Sequence, residues 1–226
     1  MIVSLARVGV VNRPLVLEVT SRVTPEELAT LSNQSLSNLM TGLARFGVKS
    51  TSQYPVWKYL SAAVIERLDK PTGWTPSDLL ATTLAVSVSV PPQDDLITPY
   101  FSRISNWILS SSASINTDCV TKYIKACSRV EFRDVECLSK CASILRQDDK
   151  FPSKYETRDL LQIYSNLDKL GIDMKDLEQE LCDKRNVEIP KTKSPTWFPS
   201  PKNSRPKDAK ISHHTSDSLR KRKYSW

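Results

Sequence analysis

The chain has 226 residues, 39% hydrophobic and 25% charged, an ordinary globular composition that supplies core material for one or two domains. Its 5 Gly and 14 Pro suit helices joined by Pro-marked loops and argue against a hairpin-rich β fold or a glycine loop around a phosphate. The net charge of +7 is lopsided: residues 1–182 hold 20 Lys and Arg against 21 Asp and Glu, whereas residues 183–226 hold 12 against 4, so the C-terminal stretch is where phosphate or acidic protein surfaces would be attracted.

Ser4-Leu5-Ala6-Arg7-Val8-Gly9-Val10 returns 38 residues later as Gly42-Leu43-Ala44-Arg45-Phe46-Gly47-Val48. A repeat of this size is one supersecondary unit, too small to bury its own apolar face, so it must stack on further copies. The stretch to Val23, with Arg7, Arg13 and Arg22 against Glu18, resembles a mitochondrial presequence in isolation. The repeat makes a structural unit the better reading. Leu15, Val16, Leu17, Val19 and Val23, after Pro14, read as the second helix of the first unit, while Met1 begins partway through its first helix. That leaves either a chain truncated upstream, which we favour, or an apolar end covered by a partner.

In the second unit Ser35 is placed as N-cap for a helix with Leu36, Leu39, Met40, Leu43 and Phe46, ending at Gly47. Pro55 opens the partner helix, with Trp57, Leu60, Val64, Ile65 and Leu68 on one face. The third unit starts with Thr75 as cap and Pro76 at the first helical position, followed by Leu79, Leu80, Leu84 and Ala85; its second helix follows Pro91-Pro92 with Leu96, Phe101, Ile104, Trp107 and Ile108. The fourth runs from Thr117 or Asp118 through Val120, Tyr123, Ile124 and Cys127, then from Asp134 through Val135, Leu138, Cys141, Ala142 and Leu145. A fifth carries Leu160, Leu161, Ile163, Tyr164, Leu167 and Leu170, then Gly171, then Leu177 and Leu181. First helices thus recur at roughly 38 to 41 residues. The expected fold is all-α, a right-handed α-solenoid of about five two-helix repeats over residues 1–182.

Residues 183–226 read as a Pro-rich basic tail. Pro190, Pro195, Pro199, Pro201 and Pro206 lie among Ser and Lys, and the few apolar anchors do not offset the entropy of ordering, so the tail is expected to be disordered alone. No apolar run approaches the ~18 residues of a membrane span.

Little here is suited to catalysis. His213 and His214 both fall in the tail, away from any rigid scaffold for a nucleophilic pair. Asp94-Asp95 and Asp148-Asp149 sit at helix edges, where dipole compensation or solvation accounts for them. The five cysteines, Cys119, Cys127, Cys137, Cys141 and Cys182, are an odd set without a paired framework, so reduced thiols are expected. Their spacings lack the tight knuckles of zinc sites, and packing as small hydrophobes is the stronger reading for the helical four. No catalytic residue, metal or cofactor is therefore assigned.

Binding features are easier to find. Arg7 and Arg45 hold equivalent positions one unit apart, the geometry with which a solenoid would meet successive phosphates; the competing reading is an arginine covering its neighbour helix, paired with Glu26 or Glu27. Arg220-Lys221-Arg222-Lys223, followed by Tyr224 and Trp226, could neutralise phosphates while its rings stack on bases, and reads equally as a nuclear-import signal or a solvated end. Trp197, Phe198 and Trp226 are costly to expose without purpose and mark a tail that docks on a partner.

The train of two-helix units, the Gly42–Val48 stretch, the Trp57-Lys58-Tyr59-Leu60 helix and the Thr75-Pro76-Ser77-Asp78-Leu79 start resemble the heptatricopeptide-like and octotricopeptide-like repeats of organellar RNA-associated proteins, including RAP-domain proteins and their Fas-activated kinase-like relatives. The resemblance covers residues 1 to about 182; where a RAP domain would need an α/β segment, this chain has its Pro-rich basic tail. It implies a non-catalytic protein associated with RNA, in mitochondrial RNA metabolism or as a mitoribosome component contacting ribosomal RNA and other proteins of a ribonucleoprotein, with the plastid as alternative compartment. The alternative function is a protein–protein scaffold that does not touch RNA.

Overall fold

A computed structural model describes residues 13–50, 56–68, 70, 73–111, 115–148, 150–175 and 179. All belong to one compact unit, Met1–Glu188. The protein is all-α: among the described residues there is no strand, and ten helices have described bounds. They are α1 (Arg13–Arg22), α2 (Pro25–Thr30), α3 (Asn33–Arg45), α4 (Val56–Leu68), α5 (Pro76–Ser89), α6 (Ile97–Ser110), α7 (Thr117–Val130), α8 (Val135–Gln147), α9 (Phe151–Lys154) and α10 (Thr157–Lys169). Pro55 and the helix expected around Leu177 and Leu181 lie outside the described residues, as do residues 1–12 and 181–226.

Local chemistry sets the starts. The Thr75 side chain accepts from Asp78 N at 3.1 Å and Asp134 from Cys137 N at 3.1 Å, each satisfying a donor that the first turn leaves open. Ser35 is not the cap of α3. Ser32 is, accepting from Ser35 N at 3.1 Å, and the helix begins a turn earlier than its apolar periodicity suggests. A second correction concerns the first unit. A helix forms after Pro14, but the one packed on α4 is the short α2, because Pro25 cannot continue a preceding helix and instead opens a new one behind the Thr24 cap.

Three first helices end alike. Gly47 (φ 74°) and Gly171 (φ 88°) take the left-handed conformation after α3 and α10, and Glu131 (φ 57°) takes it after α7. The amide of the following apolar residue then reaches back six residues inclusively: Val48 N to Leu43 O at 3.0 Å, Phe132 N to Cys127 O at 3.1 Å and Ile172 N to Leu167 O at 2.9 Å. These are Schellman closures, and they align Leu43–Val48, Cys127–Phe132 and Leu167–Ile172 residue by residue.

The helices pack in two rows: α3 on α5, α5 on α7 and α7 on α10; α2 on α4, α4 on α6 and α6 on α8. Starts along the first row, at Asn33, Pro76, Thr117 and Thr157, lie 43, 41 and 40 residues apart. Between the rows lies a core of Leu36, Met40, Leu43, Trp57, Leu60, Leu79, Leu80, Tyr100, Phe101, Tyr123, Leu138, Leu160 and Ile163, all fully buried. Two buried pairs join the rows, Thr82 Oγ1 with Tyr100 OH at 3.0 Å and Ser105 Oγ with Tyr123 OH at 2.6 Å, whereas the buried Ser61 Oγ, Trp74 Nε1 and Ser89 Oγ make no hydrogen bond among the described residues.

Candidate nucleic-acid interface

Many cations of the helical body are engaged in the fold. Lys49 Nζ donates to Val88 O at 2.6 Å, Arg133 to Lys169 O at 2.8 Å, Lys140 Nζ to Ile108 O and Leu109 O at 2.8 and 3.1 Å, Arg146 to Asp173 O at 3.2 Å, and Arg67 to Leu28 O. Each is a side chain donating to a carbonyl at a helix end or turn, often one unit away in sequence, and Leu28 O also accepts from Leu31 N at 3.1 Å. Such cations bind the protein to itself.

Other cations lie along the partly exposed face of the first row. Aligning helices by their starts and Schellman ends gives four matching stripes with i, i+4, i+7, i+11 spacing: Gln34, Asn38, Thr41 and Arg45 on α3; Ser77, Ala81, Leu84 and Val88 on α5; Asp118, Lys122, Lys125 and Arg129 on α7; Arg158, Gln162, Ser165 and Lys169 on α10. All but the mostly buried Gln162 are partly or fully exposed. Six cations, Arg45, Lys122, Lys125, Arg129, Arg158 and Lys169, stand in these stripes against one acid, Asp118. Asp118 Oδ1 accepts from Tyr155 OH. Burial lowers the proton affinity of Lys125, with Asp159 on the adjacent α10 pulling the other way, and burial also pulls down the Arg129 guanidinium.

Of the residues singled out from sequence, Arg45 occupies the last turn of α3 and is exposed. Glu26 works locally: its pKa is lowered by its own backbone N–H and by Thr24 at the start of α2. Arg7, Arg220, Lys221, Arg222, Lys223, Trp197, Phe198, Trp226, His213, His214 and Cys182 lie outside the described residues. The carboxylates have structural work: Asp94 accepts from Leu96 N at 3.0 Å, and Asp148 takes Lys154 Nζ at 2.8 Å and Thr117 Oγ1 at 3.0 Å. Cys119, Cys127, Cys137 and Cys141 are free thiols packed in the core. Burial pushes the Cys119 and Cys127 thiols up, and Cys141 is raised by its hydrogen bond with Cys137 and by burial. Among the described residues, no group of three His, Cys, Asp or Glu is placed to hold a metal ion.

The sequence alone singles out none of Lys122, Lys125, Arg129, Arg158 and Lys169, which the packing of helices brings into line with Arg45. Arg129 and Lys169 are the structural equivalents of Arg45, immediately before the Schellman end, and the signal was masked because Glu131 replaces the expected glycine in the first case and Asp168-Lys169 replaces Ala-Arg in the second. A cleft of about 640 Å³ opens elsewhere, between the ends of α3, α4 and α5, lined by Ser32, Asn33, Arg67, Lys70, Thr75 and Asp78. Its Arg67 is already committed to Asn33 Oδ1 at 3.1 Å and Leu28 O. Among the described residues, no helix is long and apolar enough to cross a membrane. No protein-family model matches the chain, and the comparisons with curated proteins and with solved structures found no match.

Proposed function

We propose that the chain is a non-catalytic, RNA-associated α-solenoid, working in mitochondrial RNA metabolism or as a component of the mitochondrial ribosome. Support for the solenoid comes from the two rows of like helices and from hydrogen bonds that recur one unit apart, including Ser37 to Asp78, Ser128 to Asn166 and Arg133 to Lys169, separated by 41, 38 and 36 residues. The right-handed sense and the count of about five units belong to this proposal, as does the compartment, which rests on the family resemblance.

One observation carries the RNA reading: the placement of cations in the first-row stripes. Arg45, Arg129 and Lys169 sit in last turns, where the helix dipole favours a positive charge and no ligand is needed to explain them. The same dipole disfavours Arg158 in the first turn of α10 and gives no support to Lys122, near the start of α7. Arg158 and Lys122, held on adjacent helices without help from the dipole and aligned with the cations of the last turns, suit a polyanion. The basic tail would add attachment, with Trp197, Phe198 and Trp226 as docking anchors.

The test is a salt titration of RNA affinity in the full chain, with native protein, Arg45→Glu, and a tail variant carrying Arg220→Gln, Lys221→Gln, Arg222→Gln and Lys223→Gln. Affinity should fall steeply with salt, and the tail variant should show a slope shallower by up to about 4, one unit for each phosphate no longer neutralised. RNA binding indifferent to salt and to both sets of substitutions would favour a protein–protein scaffold instead.

A further inference from the structure

We draw no further inference here: the strongest candidate, the cleft of about 640 Å³ between the ends of α3, α4 and α5, rests on the N-termini of α3 and α5 beside an Arg67 already engaged by Asn33 Oδ1 and Leu28 O, with no second feature among the described residues that points to a ligand.

Discussion

The two rows of helices are built alike but face solvent differently. The difference is one of arrangement: the six cations of α3, α5, α7 and α10 fall in matching stripes with only Asp118 among them, Asp78, Asp159 and Asp168 lying off the stripes, whereas on α2, α4, α6 and α8 Lys58, Arg67, Arg103, Lys140 and Arg146 are interspersed with Glu26, Glu27, Glu66 and Glu136. Residues 1–182 are near neutral because 21 acids offset 20 cations, and that sum says nothing of where the cations stand: some close carbonyls of the protein itself, and others are aligned on the first row. Net charge is thus a poor guide to a surface, and position within the row is a better one.

The sharpest way to break the comparison is to reverse charge on one row at a time. Lys122→Glu, Lys125→Glu and Arg129→Glu together should reduce RNA affinity by about 10² or more at low salt, since several counterion-releasing contacts become repulsive. Lys58→Glu with Arg103→Glu, the same kind of change on the second row, should shift affinity by no more than about twofold. Filter binding or anisotropy reads both. Equal losses from the two rows would mean that attraction is diffuse and that the stripes have no special role.

Carbonyl-closing cations should behave in the opposite way. Lys140 Nζ, partly buried, holds both Ile108 O and Leu109 O at the end of α6. Lys140→Met keeps the aliphatic stem and removes the donor, so it should cost about 1–2 kcal/mol in chemical denaturation while leaving RNA affinity near native. A variant that loses affinity but keeps its stability would move Lys140 into the other population.

The core adds a pH dependence common to both rows. Burial raises the Cys127 and Cys119 thiols above their ordinary value of 9.0. Tyr100 is pushed by burial to about 12. Groups whose folded pKa exceeds the unfolded one stabilise fully below the unfolded value and lose that contribution as pH rises through it. Thermal stability should therefore hold to about pH 8 and decline above pH 9, and Cys127→Ala should flatten the decline. A transition temperature independent of pH up to 10 would show that these thiols ionise as readily folded as unfolded.

Much of the fold was legible because local chemistry and periodicity agreed. The Thr75-Pro76 start, the Asp134 cap, the glycine ends at 47 and 171 and most core positions are where short-range rules place them. Thr24-Pro25-Glu26-Glu27-Leu28 carries the same start signal as Thr75-Pro76-Ser77-Asp78-Leu79, but at six residues α2 is too short to show an apolar period, and periodicity assigns no helix there. The cationic stripe was hidden for a different reason. Lys122, Lys125 and Arg129 at i, i+3, i+7 read as any solvated helix face until packing shows which helices adjoin. The equivalence of Arg129 with Arg45 was obscured by one residue, the Glu131 standing where a glycine signature would have revealed the unit.

That residue gives the smallest effect and the finest comparison. Gly47, Glu131 and Gly171 share one backbone role, with φ of 74°, 57° and 88°, and only the glutamate meets the steric penalty of an L side chain in the left-handed region. Glu131→Gly should stabilise by up to about 1 kcal/mol, less the entropy that glycine adds to the unfolded chain, and Gly171→Ala should destabilise by a similar amount. Removing the carboxylate also takes a negative charge from between Arg129 and Arg133, so RNA affinity should rise slightly as stability rises. If Glu131→Gly instead destabilises, the glutamate side chain makes a compensating contact that exceeds the strain, and the end of α7 differs in kind from the ends of α3 and α10.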